Sequence, residues 1–273
     1  MSEIWADPMV VQLLGVVGTV LSNGLGFSNL PAILDARRQG SLGNKNALVF
    51  PFLCVNCVSW CMYSVAKKDV YMFGGNVFGA LLGLFYTTSS LGLMNCPQER
   101  LKLEGLLLLL LLIVAFVGFG AGMLQSGTQI LGTMSLTLVF FLFASPLSTL
   151  VSVVRTKDSS SISRPFCVVQ SLNCVVWLMY GFLTADAYIT VPNVFGLLTA
   201  FLQAVVIMMF PAPVVMSSIP EDLEVGDVDE SGVGAHTHTN THINTHSHDR
   251  PAWHAKALQE NCKMELGGGG GGG

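Results

Sequence analysis

Asn56-Cys-Val-Ser-Trp60-Cys-Met-Tyr63 and Asn173-Cys-Val-Val-Trp177-Leu-Met-Tyr180 are one phrase written twice, 117 residues apart. The same offset, without a gap, carries Asn76-Val-Phe-Gly79 onto Asn193-Val-Phe-Gly196. It also carries Asp69 onto Asp186, Tyr71 onto Tyr188, Ser28 onto Ser145 and Arg38 onto Arg155. A repeat of this length is a duplicated structural unit, and it decides the architecture before any local pattern does.

Both copies have membrane composition. The chain has 273 residues, 51% hydrophobic and 11% charged, with mean hydropathy +0.59; ordinary soluble domains carry about 25% charge. Seven apolar stretches, near 9–34, 46–66, 70–94, 104–125, 128–154, 165–184 and 187–211, each provide the roughly 20 residues that cross a hydrocarbon core. The offset maps the first three onto the last three and leaves the fourth unpaired. An odd number of crossings between the copies returns them to the same orientation, so the relating axis runs along the membrane normal. The predicted fold is an all-α integral membrane protein of seven transmembrane helices, two parallel three-helix bundles joined by a linker helix (3+1+3). The divisions fall at 1–95, 96–127 and 128–212. The fourth span, with its Leu106–Leu112 run, is expected to be a lipid-facing strap, with Gly118 and Gly122 available for a close helix contact. Gly75, Gly79 and Gly83 form a packing stripe on the third.

Residues 213–273 differ in kind. They are rich in acids, His, Thr, Asn and terminal Gly, cannot bury enough apolar surface to offset ordering entropy, and are expected to form a disordered cytosolic tail. The His236–His248 tract lacks Cys or carboxylate ligands at fixed spacing, so no metal site is assigned to it. The start of the chain lacks a basic segment and a cleavage site, so the first span is expected to be retained. Of the ten Lys and Arg outside the tail, Arg37, Arg38, Lys45, Arg100, Lys102, Arg155, Lys157 and Arg164 fall on one side and Lys67 and Lys68 on the other. The positive-inside rule then puts the N-terminus outside and the tail in the cytosol.

In the hairpin of the second and third spans, Trp60 and Asn76 stand symmetrically about position 68. At 1.5 Å per residue each lies about 12 Å below the turn, close to mid-membrane. Trp177 and Asn193 stand symmetrically about position 185 and reach the same depth. Asn56, Trp60 and Tyr63, spaced i, i+4, i+7, share one helix face, as do Asn173, Trp177 and Tyr180. An indole face suits the C–H side of a pyranose, and carboxamides offer hydroxyls both donor and acceptor. Trp60, Asn76, Trp177, Asn193, Asn56 and Asn173 are therefore the candidate substrate-binding residues for a neutral polyhydroxylated ligand. No span holds an interior Asp, Glu, Lys, Arg or His. Ion-coupled carriers and proton pumps use such groups, so the expectation is downhill transport. No acid, base or nucleophile cluster supports an enzyme, no cofactor is implied, and no basic patch suits nucleic acid. Cys54, Cys57 and Cys61 lie mid-helix, where a thiol is a small apolar filler.

These residues resemble the SWEET sugar transporters. The clearest match is Ser145-Pro-Leu-Ser-Thr-Leu, Arg155-Thr-Lys, Trp177-Leu-Met-Tyr-Gly181, Asp186 and Pro192-Asn193-Val-Phe-Gly196. The first repeat matches through Trp60-x-x-Tyr63 and Asn76-Val-Phe-Gly79, and the likeness covers about 9–211. The resemblance implies a bidirectional facilitative carrier of mono- or disaccharides of the glucose, fructose, galactose or sucrose class, working by alternating access. It implies a gate near Tyr63 and Asp186, hinge prolines among Pro31, Pro51, Pro146 and Pro165, and assembly into a homo-oligomer, most naturally in the plasma membrane, with Golgi or vacuolar membranes as alternatives. The prolines depart from strict repetition: Asn29 stands where the offset would put the partner of Pro146, and Leu48 that of Pro165. A seven-helix receptor would explain the span count but not the duplication, and the chain lacks an acidic-Arg-aromatic triplet after the third span and an Asn-Pro-x-x-Tyr in the seventh. A trafficking or assembly partner acting through the tail is the third reading.

Overall fold

The computed structural model describes residues 7–43 and 46–211. The tail, with its expected disorder, and Lys45 of the charge argument lie outside the described residues. Among the described residues, eight helices form seven candidate membrane spans. They are α1 (Pro8–Phe27), α2 (Leu30–Gln39), α3 (Val49–Lys67), α4 (Val70–Leu93), α5 (Pro97–Gly122), α6 (Gly127–Thr156), α7 (Arg164–Leu183) and α8 (Ala187–Met209).

The first span differs most from expectation. It breaks at Ser28–Asn29 and continues as α2 for five residues beyond the expected end at 34. Pro31, second in α2, lacks an N–H to reach back one turn, and its ring crowds the preceding helix. Beyond the break, Ile33 and Ala36 are buried and hold α2 in place, and Gly40, at φ 67°, ends it. The linker α5 begins seven residues earlier than the apolar run. Arg100–Glu104 at 3.0 Å and Lys102–Glu99 at 2.7 Å, spaced i,i+4 and i,i+3, support that polar first stretch.

Two hairpins, α3–α4 and α7–α8, turn through Asp69 and Asp186. Each aspartate caps the following helix, accepting from Tyr71 and Met72 amides in one case and from the Tyr188 amide in the other. Within the first repeat α4 lies between α1 and α3; within the second α8 lies between α6 and α7. Between repeats α1 packs on α7 and α3 on α6, so six helices close a ring in the order α1, α4, α3, α6, α8, α7. The linker α5 stands outside that ring against α3 and α6. It is not wholly lipid-facing: Leu103, Leu107, Val114 and Ala121 are buried, a stripe at helical spacing. Gly118 accepts the Met62 side chain closely, whereas Gly122 has open space.

The largest buried apolar cluster sits between the repeats. It joins Trp60 and Tyr63 of α3, Met72 of α4, Ala121 of α5, Leu131 of α6, Trp177 and Tyr180 of α7, and Ile189 of α8.

Candidate functional site

The duplicated tryptophans both belong to this shared cluster and are 8% and 6% exposed. Each stands edge-on to the tyrosine three residues on: Trp60–Tyr63 at 5.7 Å between centroids, Trp177–Tyr180 at 5.3 Å. Each tyrosine then meets an aromatic of the other repeat, Tyr63 with Tyr188 at 5.6 Å and Tyr180 with Tyr71 at 6.5 Å. The edge-to-face pairings suit the ring quadrupoles, and they recur because Tyr71 and Tyr188 are repeat equivalents. Glycines make room for them: a Cβ on Gly15 would strike the Tyr71 ring, and one on Gly132 the Tyr188 ring at 2.7 Å.

Asn76 and Asn193 behave alike. Each carboxamide nitrogen donates to the carbonyl one turn earlier, Asn76 to Met72 at 2.9 Å and Asn193 to Ile189 at 2.7 Å. With the nitrogen tied back, the side-chain oxygen is left as an acceptor. Asn56 and Asn173 differ from each other. Asn173 accepts from the Ser22 hydroxyl at 2.9 Å, while Asn56 is buried and its Oδ1 has no hydrogen-bond partner among the described residues.

At the hairpin end of the ring, the Tyr63 hydroxyl donates to Asp186 at 2.7 and 2.9 Å, and Lys67 lies 3.1 Å from the same carboxylate. The image of this contact is also present: Tyr180 donates to Asp69 at 2.8 Å. Both bonds cross between repeats. Tyr180 and Asp69 were absent from the sequence-derived gate, although the 117-residue offset maps Tyr63 onto Tyr180 and Asp186 onto Asp69. Lys67 has no image, since Thr184 stands at the equivalent position. Ser22 and its bonds to Trp177 and Asn173 were also missed; no repeat signal marks Ser22, because its equivalent is Val139.

The four prolines are not gathered into one place. Pro31, Pro51 and Pro165 fall in the first turns of α2, α3 and α7, and Pro146 lies inside α6. Pro192, inside α8 beside Asn193, is a further interior proline. A lateral cleft of about 620 Å³ between α3, α4, α5 and α6 contains none of the candidate binding residues.

Seven spans, two parallel repeats closed into a ring and a strap outside it define an α-helical membrane transport protein. A family profile described as a sugar efflux transporter for intercellular exchange matches residues 12–95 and 129–213. The chain is 30% identical to the sugar transporter SWEET1 of Rattus norvegicus over 69% of its own length and 86% of that protein. It is 27% identical to SWEET1 of Caenorhabditis elegans, covering 74% of this chain and 67% of that one. Against the bidirectional sugar transporter SWEET11 of Arabidopsis thaliana it is 24% identical over 72% and 69%. A solved eukaryotic SWEET transporter superposes with a TM-score of 0.69 at 22% identity, covering 76% of this chain and 98% of that one, which supports the fold. The chain belongs to the SWEET family of sugar transporters, a family of carriers and not of enzymes.

Proposed function

We propose that this chain carries neutral mono- or disaccharides down their concentration gradient by alternating access, without ion coupling. The observation that carries the reading is the pair Trp60 and Trp177, buried in one inter-repeat cluster with asparagines of both repeats nearby in sequence. Indole faces and amide acceptors bind a sugar without a charge, and the spans offer no titratable group at mid-membrane to couple an ion, the buried Asp186 standing at the hairpin end.

The Tyr63–Asp186 and Tyr180–Asp69 bonds act as the gate at the hairpin end, holding the repeats together while the other end opens. Breaking them and closing the far end exposes the same residues to the opposite side. Pro146 frees a backbone carbonyl inside α6 and supplies a place to bend; Pro31, Pro51 and Pro165 serve the same movement from helix starts. The Lys and Arg distribution supports an extracellular gated end and a cytosolic C-terminus. The plasma membrane and a homo-oligomeric state complete the proposal.

Expression in yeast lacking hexose carriers is expected to restore growth on a sugar. Trp177→Ala and Asn193→Ala are expected to abolish that growth with protein still at the surface. Normal transport by both variants would remove these residues from the site. Accumulation of sugar above its external level under a pH gradient would overturn the uncoupled mechanism.

A further inference from the structure

The two inter-repeat seams carry the same aromatic pair but are built differently. On the α1/α7 seam, the Trp177 indole N–H donates to Ser22 Oγ at 2.9 Å, and the Ser22 hydroxyl donates to Asn173 Oδ1 at 2.9 Å. One hydroxyl on α1 thus fixes an indole and a carboxamide on α7. The repeat equivalent of Ser22 is Val139 on α6, which has no hydroxyl to offer Trp60 or Asn56.

The hydroxyl bond that does cross the α3/α6 seam joins Ser59 to Ser135, and Asn56 Oδ1 has no hydrogen-bond partner among the described residues. This seam is braced from outside by α5. Asn56 is only 7% exposed, and its Oδ1 is one of three buried oxygens without a partner among the described residues. The others have different settings. Asn23 donates through its nitrogen to the Gly74 carbonyl at 3.1 Å, a contact inside the first repeat. Ser90 lies fourteen residues along α4 from Asn76, about 21 Å away at 1.5 Å per residue. Asn56 alone of the three stands one helical turn from a tryptophan of the site.

Resting on the carrier reading above, we propose that the repeat-equivalent Asn56 and Asn173 do different work: Ser22 locks Trp177 and Asn173 into a fixed wall, and Asn56, together with Asn76 and Asn193, offers the sugar an acceptor that no donor among the described residues engages. A sugar hydroxyl that donates to Asn56 Oδ1 satisfies a buried acceptor that gives up no bond. A hydroxyl that approaches Asn173 must first displace Ser22, so its net gain is small. Ser22 is a positioning residue, acting on the substrate through Trp177 and Asn173.

The test is uptake of radiolabelled D-glucose and sucrose into proteoliposomes holding the full chain, with KM and kcat measured separately. Ser22→Ala is expected to raise KM roughly three- to tenfold, the worth of one hydrogen bond, with kcat within about twofold. Ser22→Thr, which keeps the hydroxyl, is expected to restore KM. Val139→Ser gives Trp60 and Asn56 the latch of the other half and is also expected to raise KM, because it occupies the free acceptor. Asn56→Ala is expected to cost more in KM than Asn173→Ala. Wild-type KM in both Ser22→Ala and Val139→Ser, or equal losses in the two asparagine variants, would overturn the inference and leave the carrier reading standing. Should Ser22→Ala not fold by size-exclusion chromatography, Val139→Ser and the asparagine pair decide alone. If the wild-type chain takes up neither sugar, both readings fall.

Discussion

At the scale of single residues, the close approach of α3 and α4 rests on glycines whose neighbours differ in kind. A Cβ on Gly79 would meet the Cys57 thiol at 2.7 Å, a side-chain atom that can rotate away. A Cβ on Gly83 would meet the Cys54 backbone nitrogen at the same 2.7 Å, and backbone cannot yield without parting the helices. Gly83→Ala is therefore expected to destabilise the protein by about 1–3 kcal/mol, the usual range for overpacking, and Gly79→Ala by clearly less. Thermal unfolding in detergent would compare them; equal midpoints would show that the seam adapts. The second repeat has Ala200 where the first has Gly83, and there a methyl is already buried. The candidate binding residues were legible at this scale because Trp60, Asn76, Trp177 and Asn193 are marked twice. Ser22 was not, since a serine paired by the offset with a valine leaves no pattern, and its partners lie more than 150 positions away.

At the scale of elements, hydropathy located all seven spans but could not see how α5 faces its neighbours. A run of leucines has no polar side to mark the outer surface, so Leu107 and Leu108 read alike although the first is 8% and the second 67% exposed. Its start was hidden too, because ion pairs within the helix rather than apolar residues carry its first turns. The break before Pro31 was foreshadowed by the proline, but a hydropathy window runs through Ser28 and Asn29 without registering it. The buried stripe makes a specific demand. In lipid, truncating a packed leucine forfeits little transfer energy, because acyl chains are as apolar as the protein interior, and the cavity supplies most of the cost. Leu107→Ala is expected to lower stability by about 1–2 kcal/mol, and Leu108→Ala by an amount within error. Detergent-resistant melting of the two variants checks this, and equal effects would mean that α5 is a loose strap.

At the scale of the whole molecule, the six-helix ring repeats its packing across the two halves, and the proposed gate departs from that repetition at Lys67. Asp186 is held by Tyr63 and by Lys67, whereas across the axis Asp69 has Tyr180 as its side-chain partner in the same exchange. Removing a tyrosine hydroxyl takes away one inter-repeat bond, worth about 1 kcal/mol net, and shifts the ratio of closed to open gate about fivefold. Tyr63→Phe leaves Asp186 its ammonium partner, which partly satisfies the buried carboxylate. Tyr180→Phe leaves Asp69 with only the α4 backbone amides that it already caps. Tyr180→Phe is therefore expected to open the hairpin end more than Tyr63→Phe. Adding Lys67→Met to Tyr63→Phe is expected to remove the difference. The readout is the rate at which a membrane-impermeant thiol reagent labels a cysteine placed at Leu14, which packs against the inter-repeat cluster that contains both tyrosines. Because each bond joins the same two rigid halves, the double tyrosine variant is expected to multiply the two increases in labelling rate. Labelling that is identical in all variants would mean that the two bonds lie off the path by which the halves part.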